Sequence, residues 1–497
     1  MDQEVALLRR SGGPRTSLGH RPAGRCPHCW MGKVRRPFQS LARSPGPPGA
    51  TARPARSEGC LAVIAKSIWR PVRRARTHYR GGSADFAPLP GCPPAACWHD
   101  PFAPYRDGVP APAPPAVALD REVQFGNVRY PFYVRSGPAA WEELAGLLDR
   151  LCADRFLLVT DSGLPPPAVH AVGRGLAELA PVTVLRVPPG ERAKNLRTID
   201  DLAREAFASG ATRRSVFVAL GGGLAGNVAG LLAHLFLRGA RLVHIPTTLL
   251  AMSDSVLSLK QAVNSPVGKN HLGAFHAPEL VWSQLDCLAT LPPSQIRAAL
   301  NEAIKNVVAI CPDRYEEMAA RLRPDARYTQ TEFAWFIGMC VDAKQEVMAT
   351  DPQEKGRALV LEYGHTVGHA AELITDGSFS HGLAIGVGGL VAARVAAILG
   401  ISDLGVESAH ETLLQLNGAP TFFRGGLDPD RLMRAIRLDN KRGYIPHRPG
   451  YIDMILLAGL GQPHQVGGSI ITQVPEAVVR AGIQSRVSRL PASEGQP

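Results

Sequence analysis

The chain lacks an unbroken apolar run long enough to cross a membrane. Its longest candidate, Leu383 to Leu399, holds Arg394 and the glycines Gly386, Gly388 and Gly389, so a buried helix is expected there and no membrane partner. Val5 to Leu8 is too short for a secretory leader and runs into Arg9-Arg10, so none is expected. Cysteine is sparse, 9 in 497 residues. Cys26, Cys29, Cys60, Cys92 and Cys97 precede residue 100, while Cys152, Cys287, Cys311 and Cys340 stand alone among apolar neighbours. That pattern fits buried thiols in a reducing cytoplasm rather than a disulfide framework. The CxxC at Cys26 and Cys29 has no second pair, so zinc there is weakly supported. No internal repeat is visible.

Excess charge is also missing from most of the chain. Residues 1–110 carry 18 Lys+Arg against 6 Asp+Glu, and the remainder carries 37 of each. The net charge of +12 therefore describes the amino-terminal segment, and it implies no nucleic-acid partner for the body. Residues 1–118 are rich in Pro, Arg, Gly and Ala, with stretches such as PGPPGA and GVPAPAPPA. Such sequence buries too little apolar surface to offset chain entropy. Disorder is expected, with local structure at most around Leu61 to Trp69, and the run Arg70 to Arg80 reads as a solvated tail. Translation starting further in would remove this segment altogether.

Past it, the order of elements is regular. Val123 to Val134 reads as a strand pair and Pro138 to Cys152 as a helix. Phe156–Thr160, Val182–Val187, Val216–Leu220 and Leu242–Ile245 are short apolar strands. Strands alternating with helical segments predict a parallel, Rossmann-like α/β domain over 119–290. From Thr290 the strand signals fade. Leu291–Ile310, Thr331–Met348, Leu361–Ile374, Gly382–Leu399 and Glu407–Leu416 read as helices, giving an α-helical domain over 291–480 and a disordered tail over 481–497. A site in the cleft between the two follows.

Two constellations carry chemistry. The strand Val216–Leu220 runs into Gly221, Gly222 and Gly223, then a helix containing Asn227. A strand, a glycine turn and a helix start form an anion site, because bare backbone N–H groups approach a phosphate closely. The spacing is not GxGxxG and no Walker lysine follows. Thr247 and Thr248 end the next strand, and Asp254, Lys260, Asn264, Lys269 and Asn270 follow. The second constellation is Glu302 in LNEAIK, His365 in EYGHTVGH and His381 in SHG. Two imidazoles and a carboxylate suit a catalytic divalent metal, and the pattern is not HExxH. His369, four residues after His365, shares its helix face.

Residues 216–270 together with LNEAIK, EYGHTVGH and SHG resemble the sugar phosphate cyclases, the family of 3-dehydroquinate synthase, over about residues 121–465. The wording SLKQAVN…GKN and LEYGH is similar to the 2-deoxy-scyllo-inosose synthase branch. The resemblance implies a dehydroquinate synthase-like fold, NAD, and one divalent metal, Zn²⁺ or Co²⁺, held by Glu302, His365 and His381. It implies cofactor contacts from Asp161, Glu191, Lys194, Gly221, Gly222, Gly223, Asn227, Thr247, Thr248, Asp254 and Lys269. It implies catalytic roles for Lys260, Lys305, Glu362 and His369, and substrate contacts from Asn270, Lys344, Lys441 and Arg238. Arg238 would reach a neighbouring subunit's phosphate pocket, which implies a homodimer.

Three positions depart from dehydroquinate synthases. Asn227 stands where they have Asp, and Ala358 and Glu362 stand where their RNLLNFGHT-like wording has Arg and Asn. Without the arginine a carboxylated substrate loses its bidentate partner. The branch resemblance instead implies glucose 6-phosphate, with Glu362 as base. Sedoheptulose 7-phosphate cyclase, 3-dehydroquinate synthase, a metal-dependent polyol dehydrogenase and a nucleic-acid-binding protein remain as rivals.

Overall fold

The computed structural model describes residues 117–487, apart from 138–139, 267, 376, 378, 424–426, 438–440 and 442. The expectations for Cys26, Cys29, Leu61 to Trp69, Arg70 to Arg80 and residues 488–497 lie outside the described residues.

The first half is built from β1 (Ala118–Phe125), β2 (Val128–Arg135), α1 (Ala140–Asp149), β3 (Phe156–Asp161), α2 (Pro166–Leu179), β4 (Val182–Val187), α3 (Leu196–Ala208), β5 (Val216–Gly221), α4 (Gly223–Leu235), β6 (Arg241–Pro246), β7 (Lys260–Ser265), β8 (Gly268–Phe275) and β9 (Leu280–Gln284). Seven strands form one sheet in the order β1-β2-β9-β6-β5-β3-β4. All neighbours are parallel except the β1–β2 hairpin at the edge.

The apolar runs explain why these strands sit inside. Phe156 and Leu158 pack with α1 and α2 on one face, while Leu157 and Val159 pack with α3 and α4 on the other. Alternate residues thus meet opposite helical layers, as the two-residue strand period requires. Register pairs Thr160 with Leu220 and Gly221 with Pro246. The carboxyl ends of β3, β5 and β6 therefore finish level, which is where an open parallel sheet leaves its crevice.

The second half follows as α5 (Pro293–Ala309), α6 (Tyr315–Arg321), α7 (Gln330–Met348), α8 (His365–Ile374), α9 (His381–Ile398), α10 (Gly405–Leu416), α11 (Pro429–Ile436) and, after four short strands, α12 (Glu476–Gln484). Thr329 and Glu332 close a capping box at the start of α7, the reciprocal bonding that satisfies two exposed N–H groups. By length and composition α9 passes for a membrane helix, yet 72% of it is buried inside the protein. It is the core helix expected for Leu383–Leu399. Its glycines admit neighbouring backbone: a Cβ on Gly382 would lie 1.9 Å from the Ala298 carbonyl oxygen, and one on Gly388 2.2 Å from that of Gly364.

Four expectations need correction. The polar stretch after Asp254 folds as the antiparallel hairpin β7–β8; β8 is largely exposed and so shows no apolar alternation. Leu361–Ile374 is not one helix. A 3-10 turn, Arg357–Glu362, ends before Gly364 at φ +81°, and α8 starts afresh at His365. Strands do not stop at Thr290: Tyr451–Ile455 pairs with Ile471–Pro475. Order also continues past residue 480, because α12 runs to Gln484.

Candidate active site

The glycine turn forms at the end of β5. Gly221 has φ +152°, and a Cβ there would lie 2.8 Å from the Ala225 Cβ and 3.0 Å from Asp161 Oδ2. At Gly222 a Cβ would meet Thr248 Cγ2 at 3.3 Å. The Thr247 N–H donates to the Gly221 carbonyl at 3.0 Å, and Thr248 Oγ1 accepts from the Ala251 N–H at 3.2 Å. Helix α4 begins at Gly223 with no side-chain cap, so its dipole points into the crevice undiminished. Asp161 closes its own turn by accepting the Gly163 N–H at 2.9 Å. Asn227 ties α4 to the hairpin: its Nδ2 donates to the Gly223 carbonyl at 2.9 Å and its Oδ1 accepts from Ala262 N–H at 3.0 Å.

The hairpin supplies a polar wall. Lys194 Nζ donates to Asn270 Oδ1 at 2.5 Å, and burial pulls the Lys194 ammonium below its usual range. Asn270, at φ +54°, donates its N–H to Asn264 Oδ1 at 2.9 Å, and Asn264 Nδ2 donates to Glu191 Oε1 at 2.9 Å. Lys344 Nζ meets Asp254 Oδ1 and the Asp254 carbonyl, each at 2.8 Å. Asp254 lies on a single π-helical turn, Ala251–Ser255, a distortion that is frequent at functional sites.

Opposite this wall, α5, α8 and α9 bring the second constellation together. Glu302 is 1% exposed. Its Oε1 faces His381 Nε2 at 3.3 Å and His365 Nε2 at 3.7 Å, and its Oε2 faces Lys305 Nζ at 2.7 Å. Neither oxygen receives a well-directed hydrogen bond, so charge is balanced while lone pairs are left over. Lys305 also donates to the Leu361 carbonyl at 2.8 Å. His365 Nδ1 sits 3.1 Å from the Tyr363 carbonyl. A carbonyl only accepts, so Nδ1 carries the proton and Nε2 turns its lone pair inward. His381 Nδ1 faces Glu372 Oε2 at 3.2 Å. The donor nitrogens of His365, His369 and His381 lie within 4.8 Å of one another.

Electrostatics differ sharply across these imidazoles. Burial, with Lys305 nearby, pushes His365 down to about 4, and burial holds His369 well below its usual value. Burial opposes charge on His381 too, but Glu302 and Glu372 on either side outweigh it and raise the group to about 10. Burial would likewise raise Glu362, yet Lys441, His365, Lys260 and His369 hold it well below the usual carboxylate range. Lys441 Nζ is 3.4 Å from Glu362 Oε2. Lys260 Nζ is 2.6 Å from Glu354 Oε2.

A cavity of about 300 Å³ joins the two constellations. Glu191, Lys194, Gly223, Asn227, Asp254, Lys269, Asn270, His369 and His381 all line it. These nine expected residues thus share one crevice, and Glu302 and Lys344 touch its lining at His381 and Asp254. Arg238 stands apart, exposed in the left-handed turn Leu237 to Gly239, and lines no part of it. Two carboxylates escaped the sequence reading. Glu372 salt-bridges Lys269 at 2.6 Å besides holding His381; its position seven after His365 on the His369 face was the available signal. Glu354 had no such signal, since only its backbone conformation turns it inward.

Comparison with known proteins agrees with this layout. Residues 184–298 match the family described as 3-dehydroquinate synthase N-terminal, and 299–442 match 3-dehydroquinate synthase C-terminal. The chain is 42% identical over 377 residues to a 2-deoxy-scyllo-inosose synthase from Streptoalloteichus tenebrarius, covering 75% of this chain and 97% of the relative. It is 39% identical over 348 residues to one from Niallia circulans, covering 70% and 95%. A solved 2-deoxy-scyllo-inosose synthase complexed with carbaglucose-6-phosphate, NAD⁺ and Co²⁺ superposes with a TM-score of 0.70 at 36% identity, covering 74% of this chain and 100% of that one. The fold is shared with a 2-epi-5-epi-valiolone synthase from Streptomyces hygroscopicus bound to NAD⁺ and Zn²⁺, TM-score 0.60 at 22% identity, covering 73% and 98%. With both halves of the site framed by matching family models and close relatives aligned over nearly their full length, the chain belongs to the 3-dehydroquinate synthase family of sugar phosphate cyclases.

Proposed function

We propose that the chain is a 2-deoxy-scyllo-inosose synthase, converting glucose 6-phosphate to 2-deoxy-scyllo-inosose and inorganic phosphate with NAD and one divalent cation, Co²⁺ or Zn²⁺. The product is the carbocycle from which 2-deoxystreptamine aminoglycosides are built. The observation that carries the reading is Glu362, a carboxylate kept ionised beside Lys441 in a chain with Ala358 where a carboxylate-binding arginine would stand. That arrangement favours a neutral sugar phosphate over the substrate of dehydroquinate synthase.

The residues suit both cofactors. Glu302 has buried oxygens with lone pairs to spare, and His365 and His381 direct Nε2 toward it. A divalent cation among Glu302, His365 and His381 would use those lone pairs and displace the His381 proton. At the Gly221–Gly223 turn the bare backbone and the uncapped start of α4 suit a diphosphate. When bound, the cation supplies a Lewis acid for the C4 hydroxyl, and NAD supplies a hydride transfer at C4 that is later reversed.

The chain's own groups do the rest. Tyr363 and Glu372 fix the two ring orientations, and Lys305 balances Glu302 until the cation arrives. Lys260, Asn270, His369 and Lys441 hold the phosphate. Once C4 is a ketone, Glu362 takes the acidified C5 proton and the C6–O bond breaks, releasing phosphate. Ring opening and aldol closure of C6 onto C1 leave no net change in oxidation level. Homodimerisation, with Arg238 reaching a partner, and a cytoplasmic setting for the unpaired Cys152, Cys287, Cys311 and Cys340 belong to the same reading.

The test is incubation of the full chain with glucose 6-phosphate, NAD⁺ and Co²⁺. Phosphate and a deoxy-inosose mass without net NADH are expected. Phosphate from sedoheptulose 7-phosphate alone would move the enzyme to another branch, and net NADH without phosphate would make it a polyol dehydrogenase.

A further inference from the structure

We infer that Asn301 is a positioning residue that fixes Glu302 and His381 relative to each other; the inference rests on the ligand set proposed above. Asparagine is a poor residue for a helix interior, and a buried amide is costly unless it is bonded. Asn301 nevertheless sits midway along α5, fully buried. Its Nδ2 donates to the Gly382 carbonyl on α9 at 3.0 Å, and its Oδ1 accepts from Asn417 Nδ2 at 2.8 Å. Asn417, likewise buried at the end of α10, shares that Nδ2 with the Arg297 carbonyl at 2.9 Å. Backbone carbonyls only accept, so each amide is held in one orientation.

The Asn301–Gly382 bond joins the sequence neighbours of two ligands. Asn301 precedes Glu302 on α5, and Gly382 follows His381 on α9. Successive residues point about 100° apart around a helix. Helix α5 therefore turns Glu302 toward His381, 3.3 Å away, and Asn301 toward the main chain of the next residue. Two adjacent residues of one helix thus grip two adjacent residues of the other. Helix α9 leaves room for the amide: a Cβ on Gly386 would lie 2.9 Å from Asn301 Nδ2. The close approach of Gly382 to Ala298 resists compression alone. A directed hydrogen bond also resists sliding and rotation of α9 along α5. Asn301 thereby acts on the site through the backbone of α9.

The test needs no turnover. The full-length protein is freed of metal by chelation and titrated with Co²⁺ alone, followed by visible absorption, whose bands report the geometry around the ion. Asn301→Ala keeps Glu302, His365 and His381 and removes the bond. It is expected to bind Co²⁺ about 10- to 100-fold more weakly and to shift the visible bands, with NAD⁺ affinity unchanged. Asn417→Ala is the stability control: it loses buried hydrogen bonds to Asn301 and Arg297 but leaves the Asn301–Gly382 bond in place. It is expected to lower the melting temperature and to keep wild-type Co²⁺ affinity and bands. Gly386→Ala serves if Asn301→Ala does not fold. Its methyl displaces the amide from Gly382 while alanine favours the helix, and the same band shift is expected. Wild-type Co²⁺ affinity and bands in Asn301→Ala or in Gly386→Ala would overturn the inference. So would a shift in Asn417→Ala as large as that in Asn301→Ala, which would make the effect one of general stability. Co²⁺ bands of the native sequence that survive His365→Ala would instead bring down the ligand set, and this inference with it.

Discussion

Lys305 sits one helical turn after Glu302 on α5 and places its ammonium 2.7 Å from the carboxylate in a pocket that excludes water from both. Each charge is a main partner of the other, beside His381 on the Glu302 side and the Leu361 carbonyl on the Lys305 side. Removing one partner strands the other.

Replacing Lys305 with Met should therefore destabilise the protein by about 3–5 kcal/mol in the presence of chelator. Co²⁺ or Zn²⁺ should recover part of that loss, because a cation bound only to the folded state adds stability by mass action. Denaturant melts with and without chelator would show it. Equal midpoints for wild type and Lys305→Met in chelator would contradict the pairing.

The crevice beside Asp161 leaves no room for a methyl group. Gly221→Ala would press its Cβ against Ala225 and Asp161 and force a side-chain residue to φ +152°. Strain of this kind costs about 1–3 kcal/mol. NAD⁺ affinity should fall by roughly tenfold or more, measured by titration calorimetry, while metal content is unchanged.

Glu362 and His365 should fail differently. Glu362→Gln is expected to retain Co²⁺ and NAD⁺ and to lose phosphate release. His365→Ala is expected to lose the metal. Elemental analysis beside a phosphate assay distinguishes them, and undiminished phosphate release by Glu362→Gln would remove it as the base.

Away from the site, the α7 capping box carries a pH signature. The Arg323 hydrogen bond, against some burial and helped by Thr329, holds the Glu332 carboxyl down to about 2, below its usual 4.5. A depressed carboxyl contributes stability above about pH 4.5 and loses it as pH falls toward 2. Glu332→Gln should cost about 1 kcal/mol near pH 7, and the gap from wild type should narrow as pH falls from about 4.5 toward 2. A gap independent of pH would show that the carboxylate charge contributes nothing.

How much of this was legible in the chain depends on what each element buries. β3, β5 and β6 are buried strands, so continuous apolar runs marked them within a residue or two, while the half-buried edge strand β4 was marked by its β-branched residues. β8 is mostly exposed, and nothing in Gly268–Phe275 announces a strand. Helical spacing placed His365 and His369 together but not the break before them, because Gly364 ends one helical pattern and starts another. Glu302, His365 and His381 stood out by residue type and were grouped as a ligand set by a resemblance, and they do meet. Glu354 was invisible for a simpler reason: an isolated carboxylate looks solvated until the fold encloses it.

The contact of Gly382 with Ala298 has a bearing on how this enzyme tolerates change. Gly382 adjoins His381 on α9, and Ala298 lies one turn before Glu302 on α5. Main chain rests on main chain there, so the separation of Glu302 and His381 is gauged by backbone thickness rather than by a deformable side-chain cushion. Warming that sets core side chains hopping between rotamers would leave this separation stiff. Sequence drift faces the opposite situation: a single added methyl at residue 382 would press on the Ala298 carbonyl, wedge the two helices apart and change the separation of Glu302 and His381.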